Sequence, residues 1–124
     1  RSMPTPGDSA APKRGEVWFA NLGDLDPSKG AEIQKKRPVL IVGKNIINQH
    51  RRTVLVIPLG MGGGNPKANP PVTIEVHCSE KSGVAVIDQL RALDKQRLLH
   101  LVDTIEPDEM DSVMAALCQI LEIS

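Results

Sequence analysis

Two apolar runs, RPVLIV at residues 37–42 and TVLVIPL at residues 53–59, decide the fold that we predict for this chain. Both are short and rich in branched aliphatic side chains, which is typical of buried strands, and a proline is tolerated where the first run begins. Other strands are predicted at residues 14–22, 72–76, 83–90 and 101–105. Because these strands do not alternate with helices, we expect antiparallel pairing in a small, strongly curved sheet or barrel.

The last part of the chain has a helical pattern. Pro107 suits the first turn of a helix, and the acidic residues Asp108 and Glu109 favour the positive end of its dipole. Apolar residues then recur at helical spacing from Met110 to Leu121, which makes one face of about four turns. The predicted fold class is therefore mainly β (α+β), with antiparallel strands followed by one C-terminal amphipathic helix.

Length and composition indicate one globular domain. The 124 residues are enough for a single core, and we expect a disordered leader over residues 1–12 and a folded domain over residues 13–124. Neither a signal peptide nor an apolar run of about 18 residues is visible, and Cys78 and Cys118 form no paired motif. We therefore expect no membrane partner and a reduced, cytoplasmic setting.

The net charge of zero hides an uneven distribution of charge. Residues 29–52 carry seven basic side chains and one carboxylate, for a net charge of +6, whereas residues 103–124 carry six carboxylates and no Lys or Arg. A concentrated basic segment can attract phosphate even in a neutral protein. The alternative is that these charged side chains are spread over a solvent-exposed surface and bind no particular partner.

No cofactor is expected from the sequence. His50, His77 and His100 are isolated and lack the spacing of metal ligands, and Gly62-Gly63-Gly64 is not followed by the Lys-Ser/Thr of a phosphate-binding loop. The cluster that remains is Lys35-Lys36-Arg37, where Pro38 favours an extended backbone. A guanidinium at the start of a buried strand suits a phosphate, but Arg37 could equally be a structural residue paired with Asp88 or Glu16.

The order of these blocks resembles the MazF/PemK-type toxins. The resemblance rests on KRGEVWFANLGDLDPSKGAEIQKKRPVLIVGKN, then TVLVIPL, then GVAVIDQLRALDKQRL and an acidic start to the last helix, over residues 13–121. It implies an SH3-like barrel with a C-terminal helix, assembled as a homodimer. It also implies sequence-specific, metal-independent cleavage of single-stranded RNA, and a MazE-like antitoxin whose flexible acidic segment lies in the groove that binds RNA.

The same resemblance assigns the catalytic positions. The arginine that precedes proline in the second strand falls on Arg37, and Asp88 matches a catalytic Asp found in one branch, although the basic residue two positions earlier is missing here. The position that usually carries Thr or Ser after the third strand is Gly60, which has no hydroxyl. Either Arg37 carries more of the catalysis, or Thr53 or Thr73 substitutes, or the protein cleaves weakly.

The expected reaction needs no metal, because the 2′-hydroxyl of the RNA attacks the adjacent phosphorus and leaves a 2′,3′-cyclic phosphate and a 5′-hydroxyl. Arg37 would stabilise the added negative charge, and Asp88 would act as the base or orient Arg37. The residues expected to bind flanking phosphates are Lys35, Lys36, Arg51 and Lys67, whereas Asn21 and Gln89 are expected to contact base edges.

One alternative keeps the fold and changes the function. CcdB-type toxins resemble this family but bind DNA gyrase through C-terminal helix residues, and the missing hydroxyl at Gly60 is compatible with such a toxin. The basic cluster around Arg37 favours the nuclease instead.

Overall fold

The computed structural model describes residues 11–23, 35–61 and 68–122, which form seven strands and two α-helices. The strands are β1 (Glu16–Asn21), β2 (Lys36–Ile41), β3 (Thr53–Met61), β4 (Thr73–Cys78), β5 (Lys81–Val86), β6 (Arg91–Asp94) and β7 (Leu98–Thr104). The helices are α1 (Asn45–His50) and α2 (Pro107–Ile120), and single 3₁₀ turns cover Ile87–Gln89 and Lys95–Arg97. The prediction of a mainly β fold with a C-terminal helix is confirmed.

All the strand pairs in the sheet are antiparallel. The order is β4-β5-β3-β2-β1-β7, and β6 pairs with the first half of β3, so that in the described part of the chain the other edge of β6 is open. Register shifts between β1 and β7 bend the sheet. Its two end strands approach each other where the Ser79 backbone N–H donates to Asp103 Oδ2 at 2.6 Å, so the sheet curls towards a barrel.

The two faces of the sheet bury two separate cores. Leu40 and Ile57 face helix α2 and pack in a cluster that includes Val113 and Leu117 of the helix. The other face buries a smaller cluster, made of Ala20, Val39, Ile41, Val54, Val56 and Leu93. Alternation along β2 and β3 sends successive side chains to opposite cores, and each fully buried aliphatic side chain contributes roughly 1.5–3 kcal/mol.

The helix α1 was not predicted from the sequence. It has six residues, and its stability depends on contacts with distant parts of the chain. Asn48 is fully buried, and its Nδ2 donates to the carbonyl oxygens of Pro12 and Gly43 at 3.0 Å each. Asn45 Oδ1 accepts from the Arg14 backbone N–H at 2.8 Å, which fixes the start of the helix.

The region before β1 extends the packed domain. Ala11 and Pro12, which the sequence analysis assigned to the leader, are buried, and Pro12 accepts the hydrogen bond from Asn48. The rest of the predicted leader, residues 1–10, lies outside the described residues. Within the described residues, no helix is long and apolar enough to span a membrane.

Strand β5 is shorter than predicted, which changes the position of two candidate site residues. The predicted strand at residues 83–90 ends at Val86, and the chain then turns. Asp88 and Gln89 therefore lie on a 3₁₀ turn instead of a strand, and Arg91 begins a separate strand that pairs with β3.

A histidine–carboxylate contact joins the sheet to helix α2. Glu109, in the first turn of α2, accepts from the His77 backbone N–H at 2.9 Å through Oε1, and its Oε2 lies 2.5 Å from His77 Nδ1. The hydrogen bond and then the charge of Glu109 raise the pKa of His77; desolvation opposes this shift, and the charge of Glu75 adds the least to it.

We predict that replacing Glu109 by Gln destabilises the protein more at pH 6 than at pH 9. Because the folded-state pKa of His77 is raised, the stabilisation by this pair is fully present below about 6.5 and is lost as the pH rises through the folded pKa. Urea unfolding across this pH range measures the gap between the two proteins. Asp108→Asn, in the same helical turn, is the control, and an equal pH dependence in both variants would contradict the prediction.

Candidate nucleic-acid interface

A basic groove opens on the side of the sheet that buries the smaller core. Its volume is about 300 Å³, and it is lined by Leu22, Lys35, Arg37, Pro58, Gln89 and Arg91. Three of these six residues are cationic, and no carboxylate lines the groove among the described residues. An anion that entered it would meet positive charge from two sides, because Lys35 and Arg37 lie at the start of β2 and Arg91 lies on β6.

The position of Arg37 follows from the alternation of side chains along β2. Val39 and Ile41 are buried in the smaller core, so Arg37, two residues before Val39, projects from the same face of the strand. Val39 lies opposite Pro58 of β3, and this proline forms part of the groove. Arg37 itself pairs with Ala20 of β1, so its backbone is held in the sheet while its side chain stays exposed.

The alternative pairing of Arg37 with an internal carboxylate is not observed. Glu16 Oε1 accepts from the Trp18 side chain at 3.0 Å and from the Lys13 backbone N–H at 2.8 Å. Asp88 is exposed on its turn. The ion pairs within the described residues join Arg52 to Asp94 and His77 to Glu109, and none of them includes Arg37.

Arg91 is a groove residue that the sequence analysis did not identify. It pairs with Val56 across the β3–β6 ladder, and Leu93, two residues later, is buried in the smaller core. Arg91 therefore projects from the same face as Arg37 and lines the same groove. The alternation in RALD was visible in the sequence, but its face depends on pairing with a strand that lies far away in the chain.

The candidate catalytic positions differ in how close they are to the groove. Gly60 lies two residues after Pro58 on β3, so a side chain there would project from the face that carries the groove. Gln89 lines the groove, as predicted, whereas Asp88 beside it does not. Thr73 is also absent from the lining, and its Oγ1 accepts from the Asn69 backbone N–H at 2.6 Å.

Thr53 and Arg51 lie away from the groove. Thr53 pairs with Asp94 at the opposite end of β3, and both Thr53 and Arg51 line a different, mostly apolar cavity. The sequence grouped Arg51 with the residues around Arg37 because both belong to one basic segment. The structure separates them because β3 carries the chain from Arg51 to the groove.

The other predicted RNA contacts lie near the groove or outside the described residues. Lys35 lines the groove, and Lys36 is exposed at the next position. Asn21 pairs with Lys36, but its Oδ1 accepts from the Gly23 backbone N–H at 2.9 Å and so stabilises the turn. Lys67 lies outside the described residues.

Arg97 supports the edge of the groove from behind. Its Nη1 donates to the carbonyl oxygens of Asn21 at 3.0 Å and Gly23 at 2.9 Å, and its side chain is half-buried. The Leu22 backbone N–H, between these two residues, donates to the Lys35 carbonyl oxygen at 2.8 Å. One guanidinium thus fixes the segment that presents both Leu22 and Lys35 to the groove.

Asp103 and Cys78 have shifted pKa values outside the groove. Backbone N–H groups of Ser79 and Thr104 lower the pKa of Asp103, which binds the turn between β4 and β5. Burial raises the pKa of the Cys78 thiol, which disfavours the thiolate form that a nucleophile needs. In residues 11–23, 35–61 and 68–122, no three His, Cys, Asp or Glu side chains are grouped to hold a metal ion.

Comparisons with known proteins agree with this architecture. Residues 13–121 match the family described as PemK-like, MazF-like toxin of type II toxin-antitoxin system. Endoribonuclease EndoA of Bacillus subtilis (strain 168) is 34% identical over 109 residues, which cover 85% of this chain and 90% of that protein.

Solved structures with a similar fold include two toxin–antitoxin complexes. An endoribonuclease in complex with its cognate antitoxin from Mycobacterial species superposes with a TM-score of 0.72 at 24% identity, covering 92% of this chain and 98% of that one. MazE-MazF (Form-II) from Deinococcus radiodurans gives a TM-score of 0.69 at 20% identity, with coverage of 92% and 98%.

We predict that Arg97→Gln lowers the free energy of unfolding by about 1–3 kcal/mol, because two carbonyl oxygens lose a charged donor. Urea denaturation monitored by circular dichroism measures the loss. Arg52→Gln is the matched control, since that side chain is 88% exposed, and its effect should stay within about 0.5 kcal/mol. Equal stability of the two variants would contradict the role given to Arg97.

Proposed function

The chain belongs to the PemK-like, MazF-like toxin family of type II toxin-antitoxin systems, and we propose that it is a toxin that cleaves single-stranded RNA without a metal ion. The observation that carries this proposal is the groove that joins Lys35, Arg37 and Arg91 with no carboxylate in its described lining. A site of this charge suits the phosphodiester backbone of RNA. The relative from Bacillus subtilis is itself named an endoribonuclease.

The proposed reaction uses the nucleophile that RNA already contains. The ribose 2′-hydroxyl loses its proton and attacks the adjacent phosphorus, the bond to the 5′-oxygen breaks, and that oxygen gains a proton. The products are a 2′,3′-cyclic phosphate and a 5′-hydroxyl end. The protein has to hold the phosphate in line and stabilise the extra negative charge, and both tasks suit fixed guanidinium groups.

Arg37 is the proposed charge-stabilising residue. It extends from a paired strand into the groove, and its planar donors suit two phosphate oxygens at once. Arg91 faces the same space from β6 and would hold the same phosphate or its neighbour. Asp88 is our candidate for the base, because it is an exposed carboxylate next to Gln89, which lines the groove.

The proposed partners follow from the same surface. An acidic, extended segment of a MazE-like antitoxin would bind in the basic groove and exclude RNA; complexes of MazE with MazF are known for a structural relative. We also place the protein in the cytoplasm, where its RNA substrate would be found. The gyrase-binding alternative is not favoured, since the chain matches the PemK-like, MazF-like toxin family and the named relative is an endoribonuclease.

We propose a homodimer on the evidence of an exposed apolar surface. Ile46 and Ile47 of α1 are 64% and 50% exposed, and Leu55 and Leu121 are 45% and 51% exposed. Ile47, Leu55 and Leu121 line an apolar cavity of about 330 Å³ beside α2. Apolar side chains grouped in this way usually contact another protein, and we assign this surface to a second copy of the chain.

We predict that Arg37→Ala reduces RNA cleavage by at least about 10²- to 10³-fold, because the transition-state charge loses its main donor. The assay incubates RNA with protein in EDTA and maps fragments with 5′-hydroxyl ends. Lys81→Ala, on an exposed part of β5, is the control and should cleave normally. Unchanged cleavage by Arg37→Ala would remove this assignment, and intact RNA with inhibited gyrase from the parent protein would support the alternative toxin.

We predict that Gly60→Thr or Gly60→Ser preserves or raises cleavage. A Cβ atom at this position would lie 3.5 Å from Val84 Cγ2, which is an ordinary contact, and the added hydroxyl would project from the face of the groove. Gly60→Ala is the matched control, because it adds the Cβ atom without the hydroxyl. A large loss of cleavage in the Thr and Ser variants, with Ala unaffected, would refute a productive hydroxyl at this position.

A further inference from the structure

A second basic surface lies at the end of the β3–β6 ladder that is farthest from the groove. It is shallow and open, with a volume of about 310 Å³, and we call it the distal basic surface. Its lining consists of His50, Arg51, Arg52, Asp94, Lys95 and Gln96. We propose that it is a second phosphate-binding subsite, which holds RNA beyond the segment bound in the groove. This inference rests on the proposed function.

The ladder places the two basic surfaces at a fixed separation. At the end nearest the groove, Arg91 pairs with Val56, and at the other end Asp94 pairs with Thr53. The Lys95 backbone N–H donates to the Arg52 carbonyl oxygen at 2.9 Å, which joins the segments that contain these residues just beyond the ladder. Arg91 and Lys95 are four residues apart, or about 13 Å along an extended chain. A single RNA strand could therefore contact both surfaces.

The charge of the distal basic surface favours an anion. Arg51, Arg52 and Lys95 oppose a single carboxylate, Asp94. Oδ1 of that carboxylate accepts from the Gln96 backbone N–H at 2.9 Å, and its Oδ2 lies 3.9 Å from Arg52 Nη2. An ion pair of this length with the arginine 88% exposed is weak, so the Arg52 guanidinium stays available to a ligand.

The chemistry of the lining favours RNA over a peptide. All six lining residues are polar or charged, so the surface lacks the aliphatic residues that usually receive the apolar anchors of a protein partner. The apolar cavity that Arg51 also lines differs in this respect, because its wall contains the aliphatic residues Ile47, Leu55 and Leu117. A phosphodiester chain needs only positive charge at intervals, and the distal basic surface supplies it.

The decisive experiment measures binding of a long, non-cleavable single-stranded RNA at several salt concentrations. The variant carries Arg51→Gln, Arg52→Gln and Lys95→Gln, and the control carries three other exposed lysines changed to Gln, namely Lys13, Lys44 and Lys81. Each phosphate contact to a single strand contributes about 0.7 to the slope of log K against log salt, so the slope should fall by up to about 2 in the variant. The control should keep the parent slope.

Further measurements separate the possible failures. The affinity loss should grow with oligonucleotide length, and Arg52→Lys should retain most of the binding because it keeps the charge. An unchanged slope, an equal fall in the control, or loss of self-association by the variant in sedimentation would each overturn the subsite. If any one of these outcomes occurs while Arg37→Ala still abolishes cleavage, the subsite is refuted and the proposed function stands. If the parent protein neither binds nor cleaves RNA, both the subsite and the proposed function are refuted.

Discussion

The pairing of β3 with three other strands is the constraint on which the rest of the structure depends. Its first half pairs with β6, its middle pairs with β2, and its last residues pair with β5. The alternation along this one strand sends Ile57 to the core under helix α2 and Val56 to the smaller core. Because β2 and β6 both pair with Val56 of β3, two residues before Pro58, the same pairing brings together the two arginines of the groove, which are 54 residues apart in the chain.

Local patterns were sufficient for most strands and for helix α2, because burial on one face or on both faces sets their apolar pattern. They were insufficient where distant contacts decide the structure. Helix α1 contains the β-branched pair Ile46–Ile47 and depends in part on the hydrogen bond from Asn48 to Pro12, which lies 36 residues away in the chain. Residues 83–90 were predicted as one strand, but β5 ends at Val86 and the chain then forms a 3₁₀ turn over Ile87–Gln89.

The candidate site shows the same division. Arg37, Lys35 and Gln89 were identified from strand position and from family resemblance, and they line one groove. Arg91 was missed because its face depends on the register between β3 and β6. Arg51 lies outside the groove because the length of β3 separates the two ends of the basic segment. The carboxylates near the end of the chain do more than balance the basic segment. Asp103 accepts from the Ser79 backbone N–H and joins the two end strands of the sheet, and Glu109 accepts from the His77 backbone N–H and joins α2 to the sheet.

The open edge of β6 has a consequence for how the protein behaves on its own. An unpaired strand edge next to apolar surface is a template on which other chains can pair and aggregate. Here the edge is only four residues long, with Arg91 at its first position and Asp94 at its last. Charge at both ends of so short an edge disfavours the addition of a foreign strand. Arg91, which we propose to attract nucleic acid, thus also helps the free toxin to avoid precipitation.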